Sequence, residues 1–246
     1  MRIIFPSGGD ELDMTALAEA YAYPRERWLR ANFVSSLDGA AYIEGRSGGL
    51  SSPDDMRIFG LLRVLADVVL VGAGTARAEE YKPARRRPSL AALREGRPET
   101  ATIALVTRTL GLNLASALFT ETPPDARTIV ITCAASDADL RAEAAKVADV
   151  IVAGEETVDL AEALDALEKR GLSRVLCEGG PRLLGDLKAA DLLDELCLSL
   201  SPTLAGPGAS RIIAGEPSSA HRMRLGHVIS GDDGFLSFRY FAQEED

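Results

Sequence analysis

Short apolar runs alternate with longer mixed stretches along most of the chain, at intervals that leave room for a helix between successive strands. Trp28–Val34, Val68–Gly72, Thr102–Thr107, Thr128–Thr132, Val150–Val152, Arg174–Cys177 and Glu195–Leu200 are mostly rich in β-branched residues or leucine and read as strands. From Asp159 the period changes. Leu160, Ala163, Leu164 and Leu167 follow i, i+3, i+4, i+7 and mark one helical face, with Gly171 as terminator. A second helix is expected to open at Ser52-Pro53-Asp54-Asp55 and run to Ala66. A capping hydroxyl, a proline in the first turn and two acids all suit the exposed N–H groups of a helix start. Met223–Ser230 and Phe235–Phe241 flank Gly231-Asp232-Asp233-Gly234, a turn sequence that predicts an antiparallel hairpin. The class is therefore α/β: a mixed, mostly parallel central sheet with flanking helices and a C-terminal antiparallel hairpin.

Composition narrows what such a chain can do. With 246 residues and 46% hydrophobic content it can bury a full core, and residues 1–246 are expected to form a single domain in which residues 1–27 are an N-terminal extension. No apolar stretch approaches the roughly 20 residues that span a bilayer. Asp10, Glu11, Asp13 and Glu19 interrupt what a secretory signal would keep apolar, so a soluble, cytoplasmic chain is expected. Cys133, Cys177 and Cys197 lie in apolar runs and read as buried, reduced thiols. A formal charge of −10 argues against a nucleic-acid surface, so any anionic ligand must be met by local groups. The H-x-E and P-C-x-x-C elements of zinc deaminases are absent, and no metal chemistry is expected. His221 and His227 lie outside every motif and read as structural.

Chemistry concentrates in a few turns and loops. Val69–Glu80 runs from a strand through Gly72 and Gly74 to Thr75 at an expected helix start, where backbone N–H groups and the helix dipole can meet a phosphate. The pattern G-x-G-T is not the full dinucleotide fingerprint, and by itself it reads equally as a bare strand-to-helix turn. Val175–Leu187 repeats the arrangement: a strand, Glu178, then Gly179-Gly180 and Pro181 opening a helix. Glu178 is either a cleft carboxylate or a solvated strand end. The Gly- and Ser-rich stretch from Asn32 to Asp55 includes Ser47, which can bind a phosphate or hydroxyl. Arg63 interrupts an apolar run and is expected to be partly buried and paired. Lys82–Pro98 is a basic island whose Arg85–Arg87 run reads either as solvated charge or as a phosphate-steering patch. Arg108, directly after Thr107 at a strand end, suits a dianionic phosphate.

Taken in order and spacing from about Trp28 to Leu204, S-L-D-G, G-x-S, L-R-x-x-A-D, V-G-A-G-T, E-G-G-P-x-L and D-L-L-D-E-L resemble the reductase domain of the riboflavin-biosynthesis protein RibD. The resemblance implies a dihydrofolate-reductase-like fold, a homodimer, and NADPH-dependent reduction of 5-amino-6-(5-phosphoribosylamino)uracil to its ribitylamino product. Hydride would reach the ribosyl C1 carbon of an opened imine. By the same resemblance Val34, Gly49, Gly74, Thr75, Glu79 and the turn Gly179, Gly180, Pro181, Arg182, Leu183 and Leu184 line NADPH, with Thr107 and Arg108 at its 2′-phosphate. Asn32, Ser47, Arg63, Arg86 and Glu178 correspond to substrate contacts, and Arg86 is the nearest candidate for the substrate phosphate. Glu79 and Glu178 are the carboxylates available to assist proton movement. The chain departs from the family at Glu79-Glu80-Tyr81, where the pattern is D-N-P or D-D-P. No deaminase domain is present in the sequence, in keeping with a stand-alone reductase. That departure keeps two other readings open: reduction of dihydrofolate or another pterin on the same fold, and an inactive nucleotide-binding protein.

Overall fold

The computed structural model describes residues 1–243. Its strands are β1 (Arg2–Phe5), β2 (Trp28–Ser35), β3 (Val68–Gly72), β4 (Thr102–Val106), β5 (Ile129–Thr132), β6 (Asp149–Val152), β7 (Arg174–Cys177), β8 (Glu195–Leu200), β9 (Met223–Ser230) and β10 (Leu236–Ala242). Its helices are α1 (Met14–Ala20), α2 (Pro53–Leu65), α3 (Ala73–Ala78), α4 (Ala117–Thr120), α5 (Ala138–Val147), α6 (Leu160–Glu168) and α7 (Pro181–Ala189). Two compact units result: a discontinuous one, Met1–Leu62 with the chain from Cys177 onward, and a continuous one, Arg63–Leu176. The mixed α/β class and the C-terminal antiparallel hairpin are as the pattern predicts. Among the described residues no helix is long and apolar enough to cross a membrane.

In the continuous unit the strand order is β7-β3-β4-β5-β6, and β3 to β6 pair in parallel. Parallel strands covered on both faces need near-continuous apolar sequence, which V-V-L-V and I-V-I-T supply. Helix α6 provides a crossover, with the Asp159 carboxylate accepting the Glu162 N–H at 3.0 Å. Its Leu160, Ala163, Leu164 and Leu167 are all buried, as their spacing requires. Part of the basic island turns inward. Arg94 donates to the carbonyls of Val64 and Ala66 at 2.9 and 2.6 Å, and Arg97 donates to Leu65 O at 2.9 Å and to the Asp67 carboxylate at 3.0 Å. Two guanidinium groups thus satisfy the carbonyls that end α2. Burial, followed by the neighbouring Arg97 charge, pulls Arg94 down to about 10.

The strand order in the discontinuous unit is β1-β9-β10-β8-β2, antiparallel except for the β8–β2 pair. Residues 1–27 are built into this unit through β1 and α1, the latter capped by Asp13. Its core contains an ionic cluster. Arg30 on β2 and Glu195 on β8 are register partners, both fully buried, with Nε to Oε1 at 2.5 Å. Arg239 on β10 donates to the same carboxylate at 2.8 Å, as does the Trp28 indole. Both arginines also reach the C-terminal end of α1 and the chain directly after it, Arg30 to Tyr21 O and Arg239 to Ala20 O and Ala22 O. Burial pushes Glu195 up, but the charges and bonds of Arg30 and Arg239 outweigh it and hold the carboxyl below its ordinary range. His227 lies edge-on to Tyr21 in this core, and Cys133, Cys177 and Cys197 are buried free thiols.

Candidate functional site

Register places one set of candidates together in the continuous unit. Gly72, the last residue of β3, is opposite Val106, the last residue of β4, so the turns after both strands leave from the same C-terminal edge. That edge is where open parallel sheets hold ligands. After β3 the chain enters α3 at Ala73, two residues before the expected start at Thr75, because Gly72 takes the N-cap position in extended conformation. Gly74 therefore lies inside the helix, and a Cβ built there meets nothing within 4 Å. The open space is on the helix surface, beside half-buried Thr75. With six residues, α3 develops little macrodipole, so exposed backbone rather than dipole is what this turn offers.

Helix α3 ends in a Schellman motif. The Tyr81 N–H bonds Ala76 O at 2.8 Å, the Glu80 N–H bonds Arg77 O at 3.3 Å, and Glu80 takes the left-handed conformation with φ 52°. Glu79 is the half-buried C-cap, and the Tyr81 ring faces the Arg63 guanidinium with Cζ 5.2 Å from the ring centroid. After β4, Thr107 is buried and its Oγ1 accepts the Leu110 N–H at 3.1 Å, closing a turn in which Leu110 has φ 54°. Arg108 is exposed at this turn. The Arg86 side chain is 60% exposed and pairs with Glu99 at 3.1 Å.

Two further groups of candidates lie in the discontinuous unit. Asn32 is half-buried on β2 opposite Cys197, while Val34, opposite Ser199, packs with Leu50, Phe235 and Ile43. Ser47 and Gly49 form a tight turn directly before Leu50, whose burial anchors it. A Cβ at Gly49 would stand 3.2 Å from that of Ile43, a tight approach that a side chain there could make only if Ile43 shifted by a few tenths of an ångström. Asp55, expected only as an acid of the α2 start, is also hydrogen-bonded by Ser51 and Ser199 and ties the first turn of α2 to β8.

In the other group, Glu178 is 8% exposed, which removes the solvated reading of this carboxylate. Gly179 follows at φ 111°, a conformation that favours glycine, and Gly180 caps α7 without a side-chain bond. The first α7 N–H to find a helical carbonyl is that of Leu184, bonded to Gly180 O at 3.1 Å. Arg182 and Leu183 therefore offer N–H groups at the head of a nine-residue helix. The Leu183 and Leu184 side chains are buried, so this turn presents backbone to a ligand. Residues 202–219 are fastened nearby. The S-L-D-G motif is the clasp: Asp38 accepts the Ser36 hydroxyl at 2.5 Å and the N–H groups of Ala205 and Gly206 at 3.0 and 2.7 Å. Those bonds, the Ser36 one foremost, hold Asp38 down at about 2. Further along, the Ala214 N–H bonds Pro181 O at 3.0 Å, and a Cβ at Gly185 would strike Ala214 O at 2.2 Å.

Residues 27–237 match the RibD C-terminal domain family. The chain is 28% identical over 211 residues to the 2,5-diamino-6-ribosylamino-4(3H)-pyrimidinone 5′-phosphate reductase of Archaeoglobus fulgidus, covering 85% of this chain and 95% of that protein. It is 27% identical over 193 residues to the reductase of the same name from Methanothermobacter thermautotrophicus, covering 75% and 82%. Among solved structures, a pyrimidine reductase-like protein from Corynebacterium diphtheriae matches with a TM-score of 0.83 and 28% identity, covering 93% of this chain and 99% of that one. A match that takes in both units and every candidate residue settles the kinship: the chain belongs to the RibD C-terminal domain family.

Proposed function

We propose that this chain is an NADPH-dependent reductase of a ribosylaminopyrimidine 5′-phosphate in riboflavin biosynthesis. The observation that carries the reading is the β3–β4 edge, where Gly74, Thr75, Glu79, Thr107 and Arg108 leave adjacent strands, in a chain whose relatives are named reductases. The residues present fit a phosphorylated nicotinamide cofactor. Open backbone at Gly74 and exposed Arg108 in the continuous unit, and separately the uncapped head of α7 in the discontinuous unit, are each groups that suit a phosphate. When bound, the nicotinamide supplies the hydride. Arg108, with the Thr107 hydroxyl, is assigned to the cofactor 2′-phosphate, and Gly179 to Leu184 to its other phosphates through backbone N–H groups. Ser47, Asn32 and Arg63 are assigned to the substrate. Glu178 and Glu79 orient substrate hydroxyls and move protons, because no histidine stands at either turn.

The archaeal relatives are named for the 2,5-diaminopyrimidinone, whereas the uracil expected from the sequence carries oxygen in place of the 2-amino group. Both belong to the proposed substrate class. The test is NADPH oxidation by the purified chain with each of these two compounds and with dihydrofolate, in parallel with a Glu178→Gln variant. Turnover on a ribosylaminopyrimidine phosphate, lowered in Glu178→Gln by about 10²-fold or more with NADPH affinity kept, is the expected result. Turnover on dihydrofolate alone, or on none, sinks the assignment. We further propose a homodimer. On β8 and β10, Leu196, Leu198, Leu200, Leu236, Phe238 and Tyr240 form a half-buried apolar ladder of register partners, which suits a second copy of the same face. Three buried free thiols support action in a reducing compartment, the cytoplasm.

A further inference from the structure

We infer that Tyr81 is a positioning residue for Arg63, its ring holding the guanidinium in the orientation used on the substrate; this rests on the reductase reading above. Arg63 is in the last turn of α2, where a basic side chain would ordinarily serve the helix's terminal carbonyls. Those carbonyls are already taken. Arg94 donates to Val64 O and Ala66 O, and Arg97 to Leu65 O. The Arg63 Cζ lies 5.2 Å from the centroid of the Tyr81 ring. A planar cation against a ring face is attracted by the ring quadrupole, more so the further it is desolvated, and it loses rotational freedom. Both side chains are half-buried, so the stacked guanidinium keeps access to solvent.

The position of Tyr81 is itself over-determined. Its N–H closes the outer bond of the Schellman motif on Ala76 O, and Glu80 accepts the left-handed conformation so that the chain can turn there. A non-glycine residue in that conformation carries a steric cost. What the turn delivers is a ring held by backbone bonds against a guanidinium on another helix. The group so fixed is suited to a planar or bidentate acceptor, carboxylate-like or phosphate-like, on the substrate.

The test is a double-mutant cycle on the full chain, using Tyr81→Leu, Tyr81→Phe, Arg63→Gln and the combination of Tyr81→Leu with Arg63→Gln. Substrate KM, kcat and NADPH Kd are measured separately. Tyr81→Leu is expected to raise substrate KM about 2- to 5-fold, with kcat and NADPH Kd held, from loss of the ring contact. Tyr81→Phe restores the KM, and Tyr81→Leu adds nothing once Arg63 is glutamine. An equal KM rise with Arg63 absent, an unmoved KM, or a Tyr81→Phe variant as impaired as Tyr81→Leu overturns the inference. A wild-type chain with no turnover on the ribosylaminopyrimidine phosphate sinks the reductase reading and the inference together, which separates the two failures. Tyr81→Met and Arg63→Met remove the ring and the cation while keeping side chains of comparable length, and they carry the cycle if Tyr81→Leu or Arg63→Gln unfolds the protein.

Discussion

Asp55 is a buried residue of the first turn of α2, with Ser199 and Ser51 bonded to its carboxyl and Asp233 facing it from the hairpin turn. Burial pushes this carboxyl above its ordinary value, and the two serine bonds pull it only partly back. A raised folded-state pKa stabilises the fold fully below the unfolded value of about 3.9, and that contribution is lost as pH rises through the folded value. Asp55→Asn keeps groups that can bond both serines and removes the buried charge. The variant is therefore expected to gain on the wild type in urea unfolding midpoint as pH rises from about 4 to 7, and parallel midpoint curves would contradict this. The helix-start role of Asp55 and the basic island around Arg94 were legible, but their buried bonds were not, because the partners are remote: Ser199 for Asp55, and Val64 for Arg94. Glycine turns, by contrast, announce themselves locally. Gly179, with its positive φ, stands where its motif says a backbone must bend.

The strands from β2 to β10 were legible because each is an apolar run closed by turn residues, and α6 because one whole face is core. What escaped was structure with little apolar content to bury. β1 is mostly exposed, α1 buries Leu17 and Ala18, and α5 buries Ala144 alone. Helix α3 was legible as a helix but misplaced at its start, since Gly72 served as cap where the glycines had been read as loop. Its other end carries a prediction. Glu80→Gly places at the αL position the residue that adopts it without penalty, and should stabilise the protein by about 1 kcal/mol. Equilibrium denaturation measures the gain; an unchanged or lower midpoint would mean that the Glu80 side chain contributes as much as its backbone costs.

For the whole molecule, the apolar ladder on β8 and β10 sets the expected assembly state. Phe238 and Tyr240 stack with centroids 5.9 Å apart on that face, so a charge placed among them should be felt across a symmetric contact. Phe238→Glu is expected to shift the protein from dimer to monomer in light scattering with its secondary structure kept; a monomeric wild type would refute the homodimer. The Arg30–Glu195–Arg239 cluster reaches further, into the order of events during synthesis. Its first member and its carboxylate are 165 residues apart in the chain, and the continuous unit lies between them. At about 5 to 20 residues per second, Arg30 emerges from the ribosome roughly 8 to 33 s before the Glu195 carboxylate it meets in the finished core. The continuous unit can collapse on its own during that interval. The first 62 residues must instead wait, exposed to chaperones and proteases, for the C-terminal third of the chain to arrive.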